Sequence, residues 1–227
     1  MTVPFARVPD NLRVGLFFVE FDNSMANNAT ATQRTLLIGG MLSTGSTLPG
    51  IPQRVSSSDT VGELTGKGGI LQAMMAAYQK NDTAAEVWIL PLEEDSDSMV
   101  AATGTIRVSS APTATGVISL AGERIQLTVV ATDTVAAIAT SLAAAINAKT
   151  TLPVTASATT DTVTLTAKNL GATGNGIDIR LNFLGLPGGE STPAGLELTI
   201  TAMSNGVGAP DITGELANLQ DRTFDFI

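Results

Sequence analysis

Apolar and polar residues follow one pattern near the two ends of the chain and another in its middle. Near the N-terminus, residues 14–21 and 35–38 are apolar runs bounded by polar or turn residues, which is typical of largely buried strands. In residues 70–78 the apolar positions recur at helical spacing after a glycine pair, and residues 87–92 form another apolar run. This part of the chain is therefore predicted to be α+β or α/β.

The last residues return to the first pattern. Asp211 is in position to cap a short helix over residues 212–219, and residues 223–227 (TFDFI) read as the beginning of a strand. Because no turn or polar tail follows TFDFI, it marks either the cut end of a longer protein or a C-terminal edge strand. Pro91 lacks a backbone donor, so its strand is predicted to end at a sheet edge or a bulge.

The middle of the chain consists of short alternating runs, which predict strands that are buried on one face. These runs cover residues 104–108, 117–120, 124–130, 154–158, 162–167, 177–183 and 196–201. One Ala-rich helix is predicted over residues 135–146, with Asp133 or Thr134 as its cap. The pattern predicts a small β-sandwich or open barrel with one packed helix.

The distribution of aromatic residues predicts how these parts are connected. Of the nine aromatic side chains, Phe183 alone lies within residues 99–206. If two domains simply followed one another, aromatic residues would not return at the end of the chain. We therefore interpret the middle as an insertion. The predicted organisation is an N-terminal arm and first part of a core domain (1–98), an inserted β-rich domain (99–206), and an apparently truncated return to the core (207–227).

Composition excludes several classes of function. The 227 residues include no cysteine and no histidine, which removes thiolate nucleophiles, the commonest general base and the commonest zinc ligands. With 12 basic and 21 acidic residues and no basic cluster, nucleic acid is not expected as a partner. The N-terminus does not resemble a signal peptide, and no apolar run is long enough to span a bilayer.

Two glycine-rich segments have features in common with phosphate-binding loops. Gly171, Gly174 and Gly176 precede an alternating run rather than a helix, so a tight turn between two strands is the better interpretation. Residues 64–69 (LTGKGG) lead into a helix but lack the spacing of a P-loop, which favours a simple helix entry. Neither segment is therefore expected to bind a cofactor.

An acidic run of Glu93, Glu94, Asp95 and Asp97 has the residue types of a Ca²⁺-binding loop. Counted from Asp95, the positions that should supply an oxygen ligand, a glycine and a glutamate do not do so, and a solvated junction between domains is favoured. No nucleophile motif and no distinctive carboxylate pair stands out. The sequence predicts a protein that is not an enzyme, with no catalytic, cofactor-binding or metal site and no cofactor.

Several segments occur in a characteristic order. The outer part contains VPDNLRVGLFFVEFDNSMAN, QRTLLIG, LSTGS, ILQAMMAAYQKN and EVWILPL. The middle contains ATGTIRV, GVISLAGERIQLTVVATDTVAAIATSLAAAINA and LPVTASATTDTVTLTAKNLGATGNGIDIRLNF. Together they resemble the N-terminal half of tail sheath proteins of Mu-like contractile bacteriophages, including their β-rich insertion. The resemblance covers essentially the whole chain.

The resemblance implies a structural role in the virion. Sheath subunits of this family polymerise around a tail tube and contract to drive the tube through the host envelope, and their terminal arms exchange strands with neighbours. The implied partners are therefore neighbouring sheath subunits and the tail tube protein, without nucleic acid or membrane insertion, after synthesis in the bacterial cytoplasm. Family members continue beyond this sequence, so the resemblance favours the cut-end interpretation of TFDFI and predicts a monomer or weak oligomer for this chain.

Two other classes stay open from the residues alone. A carbohydrate- or surface-binding β module would use the Thr-rich middle, although Phe183 is the only aromatic platform there. A carboxylate hydrolase would need two acids brought together in a pocket.

Overall fold

The computed structural model describes residues 33–83, 85–95, 97–120 and 125–227. Every element below belongs to the compact unit Gln33–Ile227. The predicted strand over residues 14–21 lies outside the described residues.

A three-stranded sheet with two helices forms the first part of this unit, which we call the core sheet region. In chain order its elements are β1 (Arg34–Gly40), β2 (Gln53–Val55), α1 (Ser58–Thr65), α2 (Ile70–Gln79) and β3 (Glu86–Leu92). β3 is the central strand, paired in parallel with β1 and antiparallel with β2. The elements predicted over residues 35–38, 70–78 and 87–92 are confirmed as β1, α2 and β3.

Side chains on β1 and β3 point alternately to the two faces of this sheet, so each apolar run supplies both faces. One face packs on the helices through a cluster of Leu37, Val55, Val61, Leu71, Met75, Val87 and Ile89. The other face carries a smaller cluster of Leu36, Leu90 and Leu92, against which Leu219 and Phe224 pack. The sheet is therefore covered by helices on one side. On the other side it is covered by residues 207–227, which we call the C-terminal segment.

Pro91 lies beyond the last residue pair between β2 and β3, which joins Gln53 to Ile89. On that side of β3, the Pro91 carbonyl accepts a hydrogen bond from the Gly50 backbone N–H at 2.7 Å. The N and O atoms of one strand residue point the same way, so the missing donor of Pro91 faces no strand. The predicted edge position is confirmed for the end of β3.

The second part of the unit, which we call the β-rich region, follows β3. Its elements are β4 (Ala101–Ser110), β5 (Gly116–Leu120), β6 (Ile125–Val129), α3 (Val135–Ala148), β7 (Val154–Thr159), β8 (Thr162–Leu170) and β9 (Glu197–Ser204). Four strands form an antiparallel sheet in the order β7-β8-β4-β9, and β5 and β6 form a separate hairpin. The described part of the chain is thus α+β, as predicted, and none of its sheets closes into a barrel.

Helix α3 covers the inner face of the four-stranded sheet and also contacts β6. Thr134, one of the two predicted caps, begins the helix, and its hydroxyl accepts a hydrogen bond from the Ala137 N–H at 3.2 Å. Ile138, Leu142 and Ile146 lie on one stripe and are at most 2% exposed. This stripe joins buried residues of β4, β6, β7 and β8 in the largest apolar cluster of the described residues.

Residues 177–183 do not form the predicted strand. They follow a short 3-10 helix (Ala172–Gly176), and residues 177–180 have irregular backbone. Ile177, Ile179 and Leu181 are partly buried against the large apolar cluster. The alternation that predicted a strand therefore reflects a segment lying on the core, without a sheet partner assigned to residues 177–180.

The predicted C-terminal helix and strand are both shorter than expected. A 3-10 helix (Glu215–Leu219) replaces the helix over residues 212–219, and Asp211 instead accepts a hydrogen bond from the Thr213 N–H at 2.8 Å. Asp211 therefore closes a local turn and caps no helix. In residues 223–227, a single parallel bridge joins Phe226 to Thr35 of β1.

Truncating Leu142 on α3 is expected to destabilise the β-rich region strongly. Its side chain has no solvent exposure, so Leu142→Ala should lower the free energy of unfolding by about 2–5 kcal/mol in urea denaturation. The exposed neighbour Ser141 offers a matched control, and Ser141→Ala should change the value by no more than about 0.5 kcal/mol. Equal effects of the two substitutions would contradict the burial assigned to α3.

Candidate subunit interface

The outer edge of β1 already accepts part of a strand from the C-terminal segment. The Leu36 N–H donates to the Phe226 carbonyl at 2.9 Å, and the Arg34 carbonyl accepts from the N–H groups of Asp225 at 2.8 Å and Phe226 at 3.3 Å. The Arg34 N–H also donates to the Asp225 carboxylate at 2.8 Å. These bonds align the C-terminal segment parallel to β1. The edge is therefore competent to pair with an added strand.

Ile38 presents its backbone to the same edge. Backbone groups alternate in direction along a strand, so Ile38 shares the orientation of Arg34 and Leu36. No strand of the described residues pairs with β1 on this side at Ile38, where the β1 ladder involves β3 alone. Within the described part of the chain, the β1 edge is thus available for main-chain pairing at Ile38, whereas the Gly40 carbonyl beyond it accepts a hydrogen bond from the Asn169 side chain at 3.2 Å.

Two contacts, one between aromatic rings and one between a cation and a ring, hold the C-terminal segment on the face of the core sheet that lies opposite the helices. The rings of Trp88 and Phe224 meet edge to face, with centroids 6.4 Å apart and planes inclined by 71°. The Arg222 guanidinium carbon lies 5.4 Å from the centroid of the Trp88 ring, within cation–π range. The Trp88 indole N–H donates to the Glu86 carboxylate at 2.8 Å, which fixes the ring.

The two glycine-rich segments lie in connections next to helices and strands. Residues 64–69 connect α1 to α2, and Gly69 stands at the N-terminal end of α2, which confirms the predicted helix entry. Gly171, Gly174 and Gly176 follow β8 and build a 3-10 helix. The prediction of a turn between two strands is half correct, since residues 177–180 form no second strand.

The acidic run is not uniformly solvated, which corrects the prediction for Glu94. Its carboxylate accepts hydrogen bonds from the Asn169 amide at 2.6 Å and from the Leu170 backbone N–H at 2.7 Å. Burial raises the pKa of Glu94 above its ordinary value, although these two hydrogen bonds act in the opposite direction. Glu93 and Asp97 are exposed, and Asp95 accepts bonds from the Asp97 backbone and the Ser98 hydroxyl.

Sequence reasoning missed the pairing of Glu94 with Asn169 because the two residues lie 75 positions apart. Neither residue belongs to a recognisable motif, and both are ordinary polar residues at the ends of strands. In the described residues, no group of three or more acidic side chains is arranged to hold a metal ion. The same residues include no helix with the length and apolar character needed to cross a membrane.

Comparison with known proteins gives one informative relation. The chain is 35% identical over 231 aligned residues to the Mu-like prophage FluMu tail sheath protein of Haemophilus influenzae. The match covers the whole of this chain and 47% of that protein, so the chain spans about half the length of this curated relative. No protein-family model matches the chain.

Identity of this extent places the chain among bacteriophage tail proteins. More narrowly, the chain belongs to the Mu-like tail sheath family. The resemblance found in the sequence is thereby confirmed.

The raised pKa of Glu94 predicts a particular dependence of stability on pH. A carboxyl group with a raised folded-state pKa contributes stability fully below its ordinary value of 4.5 and loses that contribution as the pH rises through the folded-state pKa. The difference in unfolding free energy between the wild type and Glu94→Gln should therefore shift against the wild type from acidic to neutral pH. Urea denaturation across this range measures the difference.

Glu93→Gln is the matched control for that series, because it removes one acidic charge from the exposed neighbouring position. The difference in unfolding free energy between the wild type and Glu94→Gln could instead stay constant or shift in favour of the wild type as the pH rises. Either result would show that burial does not raise the pKa of Glu94.

Proposed function

We propose that this chain is the N-terminal portion of a contractile tail sheath subunit, which polymerises around a tail tube and contracts to drive the tube through the host envelope. The observation that carries the proposal is 35% identity, along the entire chain, to a protein named as a Mu-like tail sheath protein. The role is structural rather than enzymatic, and its location is the tail of the virion after synthesis in the bacterial cytoplasm.

The β1 edge supports strand addition as the means of subunit contact. A strand that joins an open sheet edge gains affinity from main-chain hydrogen bonds and register from its alternating side chains. Arg34 and Leu36 already make such bonds with the C-terminal segment, and Ile38 continues the same edge. In this proposal, an arm of a neighbouring sheath subunit pairs along β1, while the tail tube protein is the second partner.

The proposed domain organisation retains residues 99–206 as an insertion between residues 1–98 and 207–227. Its support is the separation of the apolar clusters, because the cluster of the β-rich region contains no residue of the core sheet. The C-terminal segment returns to the core sheet through Leu219 and Phe224. Isolated from the rest of the sheath polypeptide, this chain would be a monomer or a weak oligomer in sedimentation velocity.

Electron microscopy of the complete sheath polypeptide that carries this sequence tests the proposed role. Negative staining should reveal rings or tubes. Monodisperse monomers under all conditions would contradict a sheath function, whereas a stable ring formed by this chain alone would contradict only the predicted monomeric or weakly oligomeric state.

Substitutions at Ile38 separate strand addition from other modes of assembly. Ile38→Pro removes a backbone donor that points away from β3, so the ladder between β1 and β3 should survive while pairing at the open edge is lost. Ile38→Ala keeps the donor and provides the matched control. In the complete polypeptide, we expect tubes from Ile38→Ala and few or none from Ile38→Pro.

Circular dichroism and thermal melting should show both Ile38 variants to be folded before their assembly is compared. Tubes of normal abundance from a folded Ile38→Pro variant would contradict strand pairing at β1, while leaving the sheath assignment intact.

A further inference from the structure

The last three residues of β8 connect the β-rich region to the core sheet region by polar contacts. The Lys168 ammonium donates to the backbone carbonyls of Lys67 at 3.0 Å and Thr150 at 2.6 Å. Asn169 and Leu170 both contact Glu94, which follows β3. We call residues 168–170 with these partners the polar seam.

Asn169 is the centre of the polar seam. Its side-chain oxygen accepts from the Ile70 N–H at the start of α2, at 2.8 Å, and its amide group donates to the Gly40 carbonyl at 3.2 Å and to Glu94 at 2.6 Å. The residue is 7% exposed. One side chain thus joins the end of β8 to the end of β1, the start of α2 and the segment after β3. Both its amide N–H groups and its carbonyl oxygen make hydrogen bonds.

Glu94 completes this arrangement from the core sheet side. One carboxylate oxygen accepts from Asn169 and the other from the Leu170 N–H, so the group contacts two consecutive residues of β8. Hydrogen bonds to an ionised carboxylate are shorter and stronger than those between neutral groups. Because hydrogen bonds are directional, they also restrict the rotation of the β-rich region relative to the core sheet region. Apolar contacts are non-directional and do not restrict it in this way.

Two glycines lie at the polar seam where the chain approaches other groups closely. A Cβ atom on Gly40 would lie 2.1 Å from the nearer Glu94 carboxylate oxygen. Gly68 has a φ of +81°, and a Cβ there would lie 2.3 Å from the Leu152 carbonyl oxygen and 2.4 Å from the Lys168 nitrogen. A larger residue at Gly68 would push against the β-rich region, whereas one at Gly40 would displace the Glu94 carboxylate within the core sheet region.

Apolar packing does not fix how the β-rich region is oriented relative to the core sheet region. The large cluster consists of residues from the β-rich region, whereas the two clusters of the core sheet region contain none of them. Since no buried apolar cluster of the described residues spans the boundary, the directional contacts there belong chiefly to the polar seam.

We propose that Glu94 and Asn169 form an orientation lock, which holds the four-stranded sheet of the β-rich region in one position relative to the core sheet. The lock stands independently of the sheath function, because it concerns two parts of one chain. Its role is to define geometry. Burial of a carboxylate carries a cost that its partners only partly offset, which is typical of polar groups that specify an arrangement.

Distances between paired spin labels test the lock in the full 227-residue chain. The chain contains no cysteine, so Lys80→Cys after α2 and Thr159→Cys on β7 place labels at two exposed positions in the two parts. Double electron–electron resonance should give one narrow distance distribution for the labelled wild type. Glu94→Ala and Asn169→Ala should each replace it with a broader or displaced distribution.

Glu93→Ala is the matched control and should leave the distribution narrow, since Glu93 is exposed next to Glu94. Distributions for folded Glu94→Ala and Asn169→Ala that coincide with the wild type would overturn the orientation lock. So would a Glu93→Ala variant that broadens the distribution as much as Glu94→Ala does.

A reversed pair keeps the test decisive if the alanine variants do not fold. Asn169→Asp places a second carboxylate against Glu94 and should broaden the distribution, because like charges at this distance repel. Adding Glu94→Gln exchanges donor and acceptor between the two side chains. Because the Gly40 carbonyl loses its donor in both variants, the double variant should give a distribution that is narrower than that of Asn169→Asp alone. A double variant as broad as Asn169→Asp alone would overturn the direct pairing of the two side chains.

Discussion

Parallel pairing of β1 with β3 requires a sheet that is covered on both faces, because parallel strands place apolar side chains on each of them. In this chain, α1 and α2 cover one face and the C-terminal segment covers the other through Leu219 and Phe224. This requirement explains why residues near the end of the sequence return to a sheet whose strands lie more than a hundred positions earlier. It also leaves β1 at the edge, where a further strand can pair.

The two parts of the described unit cover their sheets by different means. The core sheet is enclosed by separate elements on opposite faces, whereas the β-rich region places one helix against a single face of its sheet. Outward-facing positions there are largely Thr and Ser, as at Thr105, Thr164 and Thr201, which pair across adjacent strands. Such a face is polar with few charges, Arg107 and Lys168 among them, which is in keeping with the low charged content of the chain.

Local patterns predicted the elements whose burial alternates or repeats along one segment. β1 and β3 followed from apolar runs, α2 and α3 from helical periodicity, and Thr134 from the chemistry of helix capping. Residues 177–183 have the same alternation as a strand but lie on the core, because alternation reports burial of every second side chain and not the presence of a ladder partner. The three residues of β2 were too few to give a pattern of their own.

Contacts between distant residues could not be predicted in the same way. Nothing near Glu94 in the sequence distinguishes it from the exposed Glu93, and its burial depends on Asn169 and Leu170, which arrive only when β8 is in place. The spacing of the acidic run therefore argues against a Ca²⁺ loop but carries no sign that Glu94 is buried. The family assignment succeeded where site reasoning did not, because order and spacing along the whole chain carry information that single positions lack.

The spacing of the polar seam along the sequence also orders the steps of folding. Asn169 bonds to residues 75, 99 and 129 positions earlier, so its contacts close long loops and their entropic cost is met late. During synthesis, β1, α2 and β3 emerge from the ribosome well before β8, and they can collapse together first. The orientation of the two sheets relative to each other is then set late, when β8 brings Asn169 to the core sheet and Leu219 and Phe224 cover the second face of that sheet.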